Sequence, residues 1–201
     1  MNILLTGFEP FGGETINPSW EAVRRVKQVP GATFKRLRLP VEWDEGQELL
    51  TQAIRDLRPD CVLMCGQAGG RAGISIERVA VNLMEAGAPD NAGVAHAGDP
   101  IEPEGPGGYL ATYPYRAMLA ALKDADIPSA YSFTAGAYLC NCVMYRALHL
   151  AATEFPGMQA GFIHLPFLPE QTQDKPSLPL ETMVRAIELC LRAIAEDEKE
   201  E

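Results

Sequence analysis

The segment Phe133-Thr-Ala-Gly-Ala-Tyr-Leu-Cys140-Asn-Cys-Val-Met-Tyr-Arg-Ala-Leu-His149 combines a turn with the beginning of a helix. Thr134 and Gly136 are residues that turn a chain, and Gly136 stands just before the change of pattern. Beyond it, apolar residues recur every fourth position, at Leu139, Val143 and Ala147. This spacing predicts a helix with one apolar face, preceded by a tight turn.

Cys140 falls in the first turn of this predicted helix. Unpaired backbone N–H groups and the positive end of the helix dipole favour a thiolate there, so we expect its pKa to be lowered from the usual value of roughly 8.5. That environment makes Cys140 a candidate nucleophile. The alternative is a buried thiol that acts as a small hydrophobic residue, as free cysteines commonly do.

The length and composition are those of an ordinary globular protein. The chain has 201 residues, 47% apolar and 22% charged, which is enough for one α/β domain over residues 1–201 with a full core. No apolar run approaches the roughly 18 residues that span a membrane, and the first seven residues lack the basic flank of a signal peptide. We therefore expect a cytoplasmic protein with no membrane partner.

The net charge is −10, which argues against nucleic acid as a partner because that binding depends on basic patches. Residues 195–201 are mostly acidic and are predicted to be a solvated helix end. The negative charge thus indicates solubility and does not point to a particular partner.

The cysteines predict reduced thiols and no metal site. Five cysteines are present, an odd number, and no export signal accompanies them. The pairs Cys61-x3-Cys65 and Cys140-x-Cys142 lack a second pair at zinc-finger spacing, and His96 and His149 complete no recognisable ligand set.

Alternating strands and helices predict the fold class. The predicted strands cover residues 2–6, 32–39, 60–65, 73–81, 129–133 and 158–164. The predicted helices begin near Asn17, which is a good N-cap before Pro18, and cover residues 43–57, 115–125, the segment after 139, and 179–194. This order predicts a three-layer α/β/α sandwich around a twisted, largely parallel mixed sheet. Residues 85–113 are rich in Gly, Pro and Asp and predict a hairpin or a long mobile excursion.

The loop after the first strand contains two phenylalanines. A strand, a glycine-bearing loop and a helix suggest a phosphate site, but Gly12 is followed by Gly13 and Glu14 where a P-loop needs lysine. Phosphate is therefore disfavoured. Phe8 and Phe11 either enclose a flat, apolar ligand or close the core, and the sequence leaves both open.

Glu77 lies within the predicted strand 73–81. Alternation places it on one face with Ser75, Val79 and Val81. A carboxylate buried among valines needs a partner, and a histidine would serve. The alternative is a twisted or edge strand that leaves Glu77 in water.

Several of these residues are predicted to meet at one edge of the sheet. Ligands of parallel sheets bind beyond the carboxyl ends of the strands. The Gly7-Phe8 pair, the Gly66-Gln67 pair and His164 all lie at or just past such an end, and Cys140 begins the helix after another. We therefore expect a site formed by an aromatic loop, an amide, a histidine and a thiol.

Six blocks of sequence, in the same order along the chain, resemble the family of pyroglutamyl peptidase I, the pyrrolidone carboxyl peptidases, which are cysteine peptidases. They are Gly7-Phe-Glu-Pro-Phe-Gly-Gly13 with Asn17-Pro-Ser-Trp20, Gly66-Gln-Ala-Gly-Gly-Arg71, Ile76-Glu-Arg-Val-Ala80, Pro89-Asp-Asn91, Thr134-Ala-Gly136 with Cys140-Asn141, and Gly161-Phe-Ile-His164 with Leu168-Pro-Glu-Gln171. The resemblance spans residues 3–171, and this combination of blocks is highly specific.

The resemblance implies Cys140 as nucleophile, His164 as general base and acid, and Glu77 as the carboxylate that orients the imidazole. It implies hydrolysis of the bond after an N-terminal pyroglutamyl residue of a peptide, with no metal or cofactor. It assigns four residues to the substrate pocket: Phe8, Phe11, Gln67 and Leu139. Backbone N–H groups near Cys140 would form the oxyanion hole. The family usually forms homo-oligomers, often tetramers.

Two positions depart from the family pattern. Gly87 stands where an arginine usually precedes the Pro-Asp-Asn turn, and Cys142 stands where histidine is common. The missing guanidinium suggests lower turnover or a shifted pH profile, and the alternative function is a pyroglutamyl-peptide-binding homologue with weakened catalysis. Cys142 is a packing residue or the second thiol of a reversible oxidised pair with Cys140.

Overall fold

The computed structural model describes residues 1–197, and ten strands form its three sheets. In chain order they are β1 (Asn2–Phe8), β2 (Thr33–Leu39), β3 (Cys61–Gln67), β4 (Ile74–Glu77), β5 (Val79–Val81), β6 (Met84–Glu85), β7 (Ala97–Asp99), β8 (Gly108–Leu110), β9 (Ser129–Ser132) and β10 (Gln159–Leu165). Five helices accompany them: α1 (Pro18–Val23), α2 (Trp43–Leu57), α3 (Tyr115–Asp124), α4 (Leu139–Thr153) and α5 (Leu180–Asp197).

The main sheet has six strands in the order β2-β1-β3-β10-β4-β9. Four of its neighbouring pairs are parallel, and only the β10–β4 pair is antiparallel. Every residue of β3 from Cys61 to Gly66 is buried, as expected of a strand covered on both faces. The predicted mixed, largely parallel sheet is confirmed.

Helices cover both faces of this sheet. α1 packs against α5, and α5 against α3, whereas α2 packs against α4. Both α1 and α4 contact β3 and β10 while belonging to different groups of helices, as helices on opposite faces of a sheet do. The last helix, α5, buries one apolar face in the core at Met183, Ile187, Cys190, Leu191 and Ile194. The three-layer prediction is therefore confirmed.

Local sequence signals explain several boundaries. The Asn17 side chain accepts a hydrogen bond from the backbone N–H of Ser19, and Pro18 opens α1, as the capping pattern predicts. The excursion after β5 contains the antiparallel β6–β7 pair, as the hairpin prediction requires, and β8 returns to pair with β5. In the described chain, no helix is long and apolar enough to cross a membrane. Of the acidic tail, residues 198–201 lie outside the described part.

The single strand predicted over residues 73–81 is wrong. It divides at Arg78 into β4, which joins the main sheet, and β5, which pairs with β8 in a separate sheet. The backbone N–H of Arg78 donates to Ser132 O, and its guanidinium lies over the Tyr115 ring. These tertiary contacts turn the chain, so Val81 is 37% exposed whereas Glu77 is fully buried.

Candidate active site

A cavity of about 230 Å³ opens at the carboxyl ends of β1, β3 and β10, which are adjacent parallel strands. Six residues that the sequence assigned to the site line this cavity: Phe8, Phe11, Gln67, Leu139, Cys140 and His164. Phe8 and Gln67 are the last residues of their strands, and His164 is the penultimate residue of β10. The expected convergence at one sheet edge is thus present.

The turn before α4 brings Cys140 into the cavity. Gly136 has a φ of +80°, a conformation that glycine adopts without strain, and the helix begins at Leu139. Cys140 is therefore in the first turn, as predicted. Tyr138, the N-cap residue of this helix, makes no capping hydrogen bond with its side chain, so it satisfies none of the first N–H groups of α4 in this way.

Gly66 allows the thiol to approach the sheet closely. A Cβ atom placed on Gly66 would lie 2.9 Å from Sγ of Cys140 and 2.6 Å from Cζ of Phe162. Gly66 is also the register partner of His164 on the adjacent strand. The missing side chain therefore leaves space for the thiol next to the strand position that carries His164.

Glu77 lies behind His164, outside the cavity. Its Oε1 atom is 2.7 Å from Nδ1 of His164, and both side chains are buried. The alternative of a solvated Glu77 is therefore wrong. Because a carboxylate only accepts hydrogen bonds, Nδ1 carries the proton, and Nε2 is left as the basic nitrogen of the ring.

Arg71 is a residue of the candidate site that sequence reasoning missed. Its NH1 group donates to the same Oε1 atom of Glu77 at 2.6 Å, and NH2 donates to Thr134 O at 3.2 Å. The side chain is 31% exposed and lines the cavity. Its only sequence signal was its place in the block Gly66–Arg71, where a cation near the Gly-rich turn had no visible partner.

Burial and charge set the protonation of the three groups. Burial raises the pKa of Cys140 to about 12, helped by the Glu77 charge and opposed by Arg71. Burial also lowers the pKa of His164, although Glu77 acts in the opposite direction. Burial alone would raise the pKa of Glu77, but its contacts with His164 and Arg71 hold it below the usual value.

The lowered thiol pKa expected from the sequence is therefore wrong. Desolvation of a charged sulfur is the largest influence on the pKa of Cys140. The resting pair is a neutral thiol and a neutral imidazole beside an ionised carboxylate. Such a pair can generate a thiolate if the thiol proton moves to the imidazole.

The two phenylalanines form the apolar wall of the cavity. Phe8 is 3% exposed, and its ring centroid lies 6.4 Å from that of Phe162, so it serves both the core and the cavity. The Phe11 loop is held by Glu9, whose Oε1 accepts from Val41 N at 3.1 Å and from Asn91 Nδ2 at 2.9 Å. The Pro-Asp-Asn turn thus supports this wall.

Cys142 points away from Cys140, as residues two apart on a helix do. It is 1% exposed, and burial raises its pKa to about 12, with smaller effects from Arg146 and Asp44. These surroundings favour the packing role of Cys142 between α4 and α2. All five cysteines are free thiols. Across residues 1–197, no group of three His, Cys, Asp or Glu side chains is placed to hold a metal ion.

Gly87 lies on an exposed turn after β6 and does not line the cavity. The turn is nevertheless tied to the segment before Cys140, because Glu85 N donates to Ala137 O at 2.9 Å and Tyr138 Oη donates to Pro89 O at 3.3 Å.

A model of one protein family matches nearly the whole chain. The family is described as pyroglutamyl peptidase, and the match covers residues 1–197. The chain is 49% identical over 195 residues to the pyrrolidone-carboxylate peptidase of Thermococcus onnurineus, covering 96% of this chain and 98% of that protein. It is 48% identical over 198 residues to the pyrrolidone-carboxylate peptidase of Levilactobacillus brevis, covering 96% and 97%.

Solved structures agree with these matches. The chain superposes on pyroglutamyl peptidase I from Bacillus amyloliquefaciens with a TM-score of 0.93 and 39% identity, over 97% of each chain. It also superposes on a mutant pyrrolidone carboxyl peptidase from Pyrococcus furiosus with a TM-score of 0.93 and 37% identity, over 98% of this chain and 100% of that one. Neither likeness favours the alternative of a weakened, binding-only homologue.

Proposed function

The chain belongs to the pyroglutamyl peptidase family and is a pyroglutamyl peptidase, and we propose that it cleaves its substrates with Cys140 as nucleophile, His164 as general base and acid, and Glu77 as orienting carboxylate. The observation that carries this assignment is the buried 2.7 Å contact between Glu77 and His164, beside a helix-start thiol at the floor of the cavity. The substrate is a peptide whose N-terminal residue is pyroglutamate.

The first half of the reaction forms a thioester. Sγ of Cys140 attacks the carbonyl carbon of the bond after the pyroglutamyl residue, and its proton moves to Nε2 of His164. The carbonyl oxygen becomes an oxyanion, which the N–H groups of the first turn of α4 stabilise. The C–N bond then breaks, and Nε2 of His164 gives its proton to the departing amine.

The second half releases pyroglutamate. Water enters where the amine has left, and Nε2 of His164 takes a proton from it as it attacks the thioester carbonyl. The C–S bond breaks, the sulfur recovers a proton from the imidazolium, and free pyroglutamate departs. Glu77 stabilises the imidazolium in both halves, because it already accepts the hydrogen bond from Nδ1.

The dimensions and the lining of the cavity suit a five-membered lactam. Phe8 and Phe11 supply the apolar surface, Leu139 contributes to it beside the nucleophile, and Gln67 supplies an amide. A small pocket with apolar walls and few polar groups selects by shape and by those groups. We assign these four residues to the ring of the substrate.

We further infer a single catalytic domain that assembles as homo-oligomers, often tetramers in this family, and acts in the cytoplasm. Exposed apolar residues, with Phe133 at 70% and Leu110 at 64%, support a contact surface. Light scattering of the purified protein measures the number of copies.

The assignment is tested by release of a fluorescent amine from a pyroglutamyl conjugate. We expect reduced wild-type protein to release it, Cys140→Ala to be inactive, and Cys142→Ala, which removes a buried thiol two residues away, to remain active. Release by Cys140→Ala would reject the nucleophile. No release by folded, reduced wild type would reject the activity itself.

A further inference from the structure

Gln171 contacts the cavity through another glutamine. It ends the short 3-10 helix Pro169–Gln171 that follows β10. Its Oε1 atom accepts from the backbone N–H of Leu168 at 2.9 Å. Its Nε2 atom lies 3.0 Å from Oε1 of Gln67 and 3.5 Å from Oε2 of Glu14. A chain of hydrogen bonds therefore connects a backbone group outside the cavity to the amide that lines it.

The contacts of Gln171 with Leu168 and with Glu14 fix the direction of these hydrogen bonds. The backbone N–H of Leu168 only donates, so the atom of Gln171 that it contacts is the carbonyl oxygen. The Glu14 carboxylate only accepts, so the atom of Gln171 beside it is the amide nitrogen. The Gln171 nitrogen must then donate to Gln67, and Gln67 must accept with Oε1.

This constraint determines what Gln67 presents to the cavity. With Oε1 occupied, its NH₂ group remains, and within residues 1–197 that group makes no hydrogen bond. Asn17, the other amide that lines the cavity, is already held by Ser19 and by Glu9 O. The Gln67 nitrogen is thus an unpaired amide donor in a largely apolar cavity, in which the Arg71 guanidinium already donates to Glu77 and to Thr134 O.

We propose that Gln171 is a positioning residue that locks Gln67 as a donor, so that the cavity selects a ring with a carbonyl acceptor. The proposal rests on the proposed function and deepens it. A pyroglutamyl ring offers its lactam oxygen to this donor. A prolyl ring has a methylene group at the same position, which would cover the half-buried Gln67 donor without offering it an acceptor.

The free-energy cost of that missing partner predicts that the cavity binds a pyroglutamyl ring more tightly than a prolyl ring. An unpaired buried donor reduces binding by roughly 10- to 100-fold relative to a paired one. Shape alone distinguishes the two rings poorly, because both have five members. The hydrogen-bond chain therefore carries much of the specificity for a lactam.

The variant Gln171→Glu tests the proposal because it reverses the direction of the hydrogen bond between residues 171 and 67. The new carboxylate still accepts from Leu168 N–H, but it cannot donate to Gln67. The Gln67 amide then turns to donate to it and presents Oε1, an acceptor, to the lactam oxygen. We expect KM for a pyroglutamyl conjugate to rise roughly 10- to 100-fold, with kcat changed much less and the pH profile unmoved.

Two controls separate this effect from charge. Gln173→Glu places the same charge on an exposed position of the same segment and should leave KM unchanged. The double variant Glu14→Gln with Gln171→Glu removes repulsion between the two carboxylates, and we expect the KM defect to persist. Recovery of normal KM in the double variant would overturn the proposal.

Ligand binding tests the proposal without catalysis. The affinity of 2-pyrrolidone, measured by calorimetry on Cys140→Ala protein with and without Gln171→Glu, should fall by the same factor as KM rises. Gln171→Met, which neither donates nor accepts through an amide, should give a smaller loss. If folded Gln171→Glu protein binds the lactam with unchanged affinity, the proposed role of Gln171 is rejected. If the wild-type protein binds the lactam but cleaves no conjugate, only the proposed function is rejected.

Discussion

The sulfur of Cys140 stands 2.9 Å from the point at which a side chain on Gly66 would begin. Gly66 pairs in register with His164, so the absence of one side chain on β3 leaves room for the thiol next to the imidazole on β10. The contact joins two elements remote in sequence, the end of a central strand and the start of α4. It makes Gly66 a structural requirement of the proposed catalytic site.

Gly66→Ala should therefore damage the site even though alanine suits a strand. The added Cβ would overlap Phe162 and Cys140, which are held by the core, so we expect a loss of about 1–3 kcal/mol in the free energy of unfolding. Displacement of the thiol by about 1 Å should cost on the order of 100-fold in kcat/KM. Denaturant unfolding and kinetics check both values. Gly107→Ala, which meets no heavy atom within 4 Å among residues 1–197, serves as control.

Glu77→Gln should lower kcat and move the acid limb of the pH profile. Burial holds the pKa of His164 below its usual value of about 6.5, and Glu77 acts to raise it. Without that charge the His164 pKa falls further, so the acid limb of kcat/KM should move to lower pH. The loss of the orienting carboxylate should reduce kcat roughly 100- to 10,000-fold. An unmoved limb would show that another group titrates there.

Arg71→Met should move the acid limb in the opposite direction. The guanidinium lowers the pKa of both His164 and Cys140, so its removal raises both values. The acid limb of kcat/KM should rise toward higher pH, and kcat should fall because Glu77 loses one of its two hydrogen-bond donors to Oε1. Arg71→Lys retains the charge and should leave the limb closer to that of wild type. Equal shifts in the two variants would contradict an electrostatic role.

Gly87→Arg tests the departure from the family pattern. No heavy atom of residues 1–197 lies within 4 Å of a Cβ at this position, so the variant should fold with an unchanged melting temperature. A cation on this turn, which is tied to Ala137 and Tyr138, should favour the Cys140 thiolate and speed its alkylation by iodoacetamide at a given pH. Gly87→Gln adds length without charge and is the control. Identical kinetics for wild type and Gly87→Arg would show that the missing arginine does not affect catalysis.

Much of this structure follows from local sequence rules. The cap at Asn17, the bounds of α2 and the position of Cys140 in the first turn of α4 needed only propensity and periodicity. The meeting of Phe8, Gln67 and His164 needed one topological rule, that the carboxyl ends of parallel strands share an edge. The predicted catalytic and substrate-binding roles of these residues came from the resemblance to the peptidase family.

The remaining features depend on contacts that no local pattern contains. The division of the predicted strand at Arg78 arises from pairing with β9 and packing on Tyr115. The contacts from Arg71 to Glu77 and from Gln171 to Gln67 each connect a strand end to a different segment of the chain. The prediction for the pKa of Cys140 was wrong because a helix start can be predicted from the sequence, whereas the desolvation of the thiol depends on tertiary packing.

The high pKa of the resting thiol has a consequence for its own chemical stability. Oxidants and alkylating agents consume cysteine through its thiolate, and a pKa raised to about 12 leaves Cys140 with little of that form at neutral pH. Burial therefore protects this thiol from such reagents.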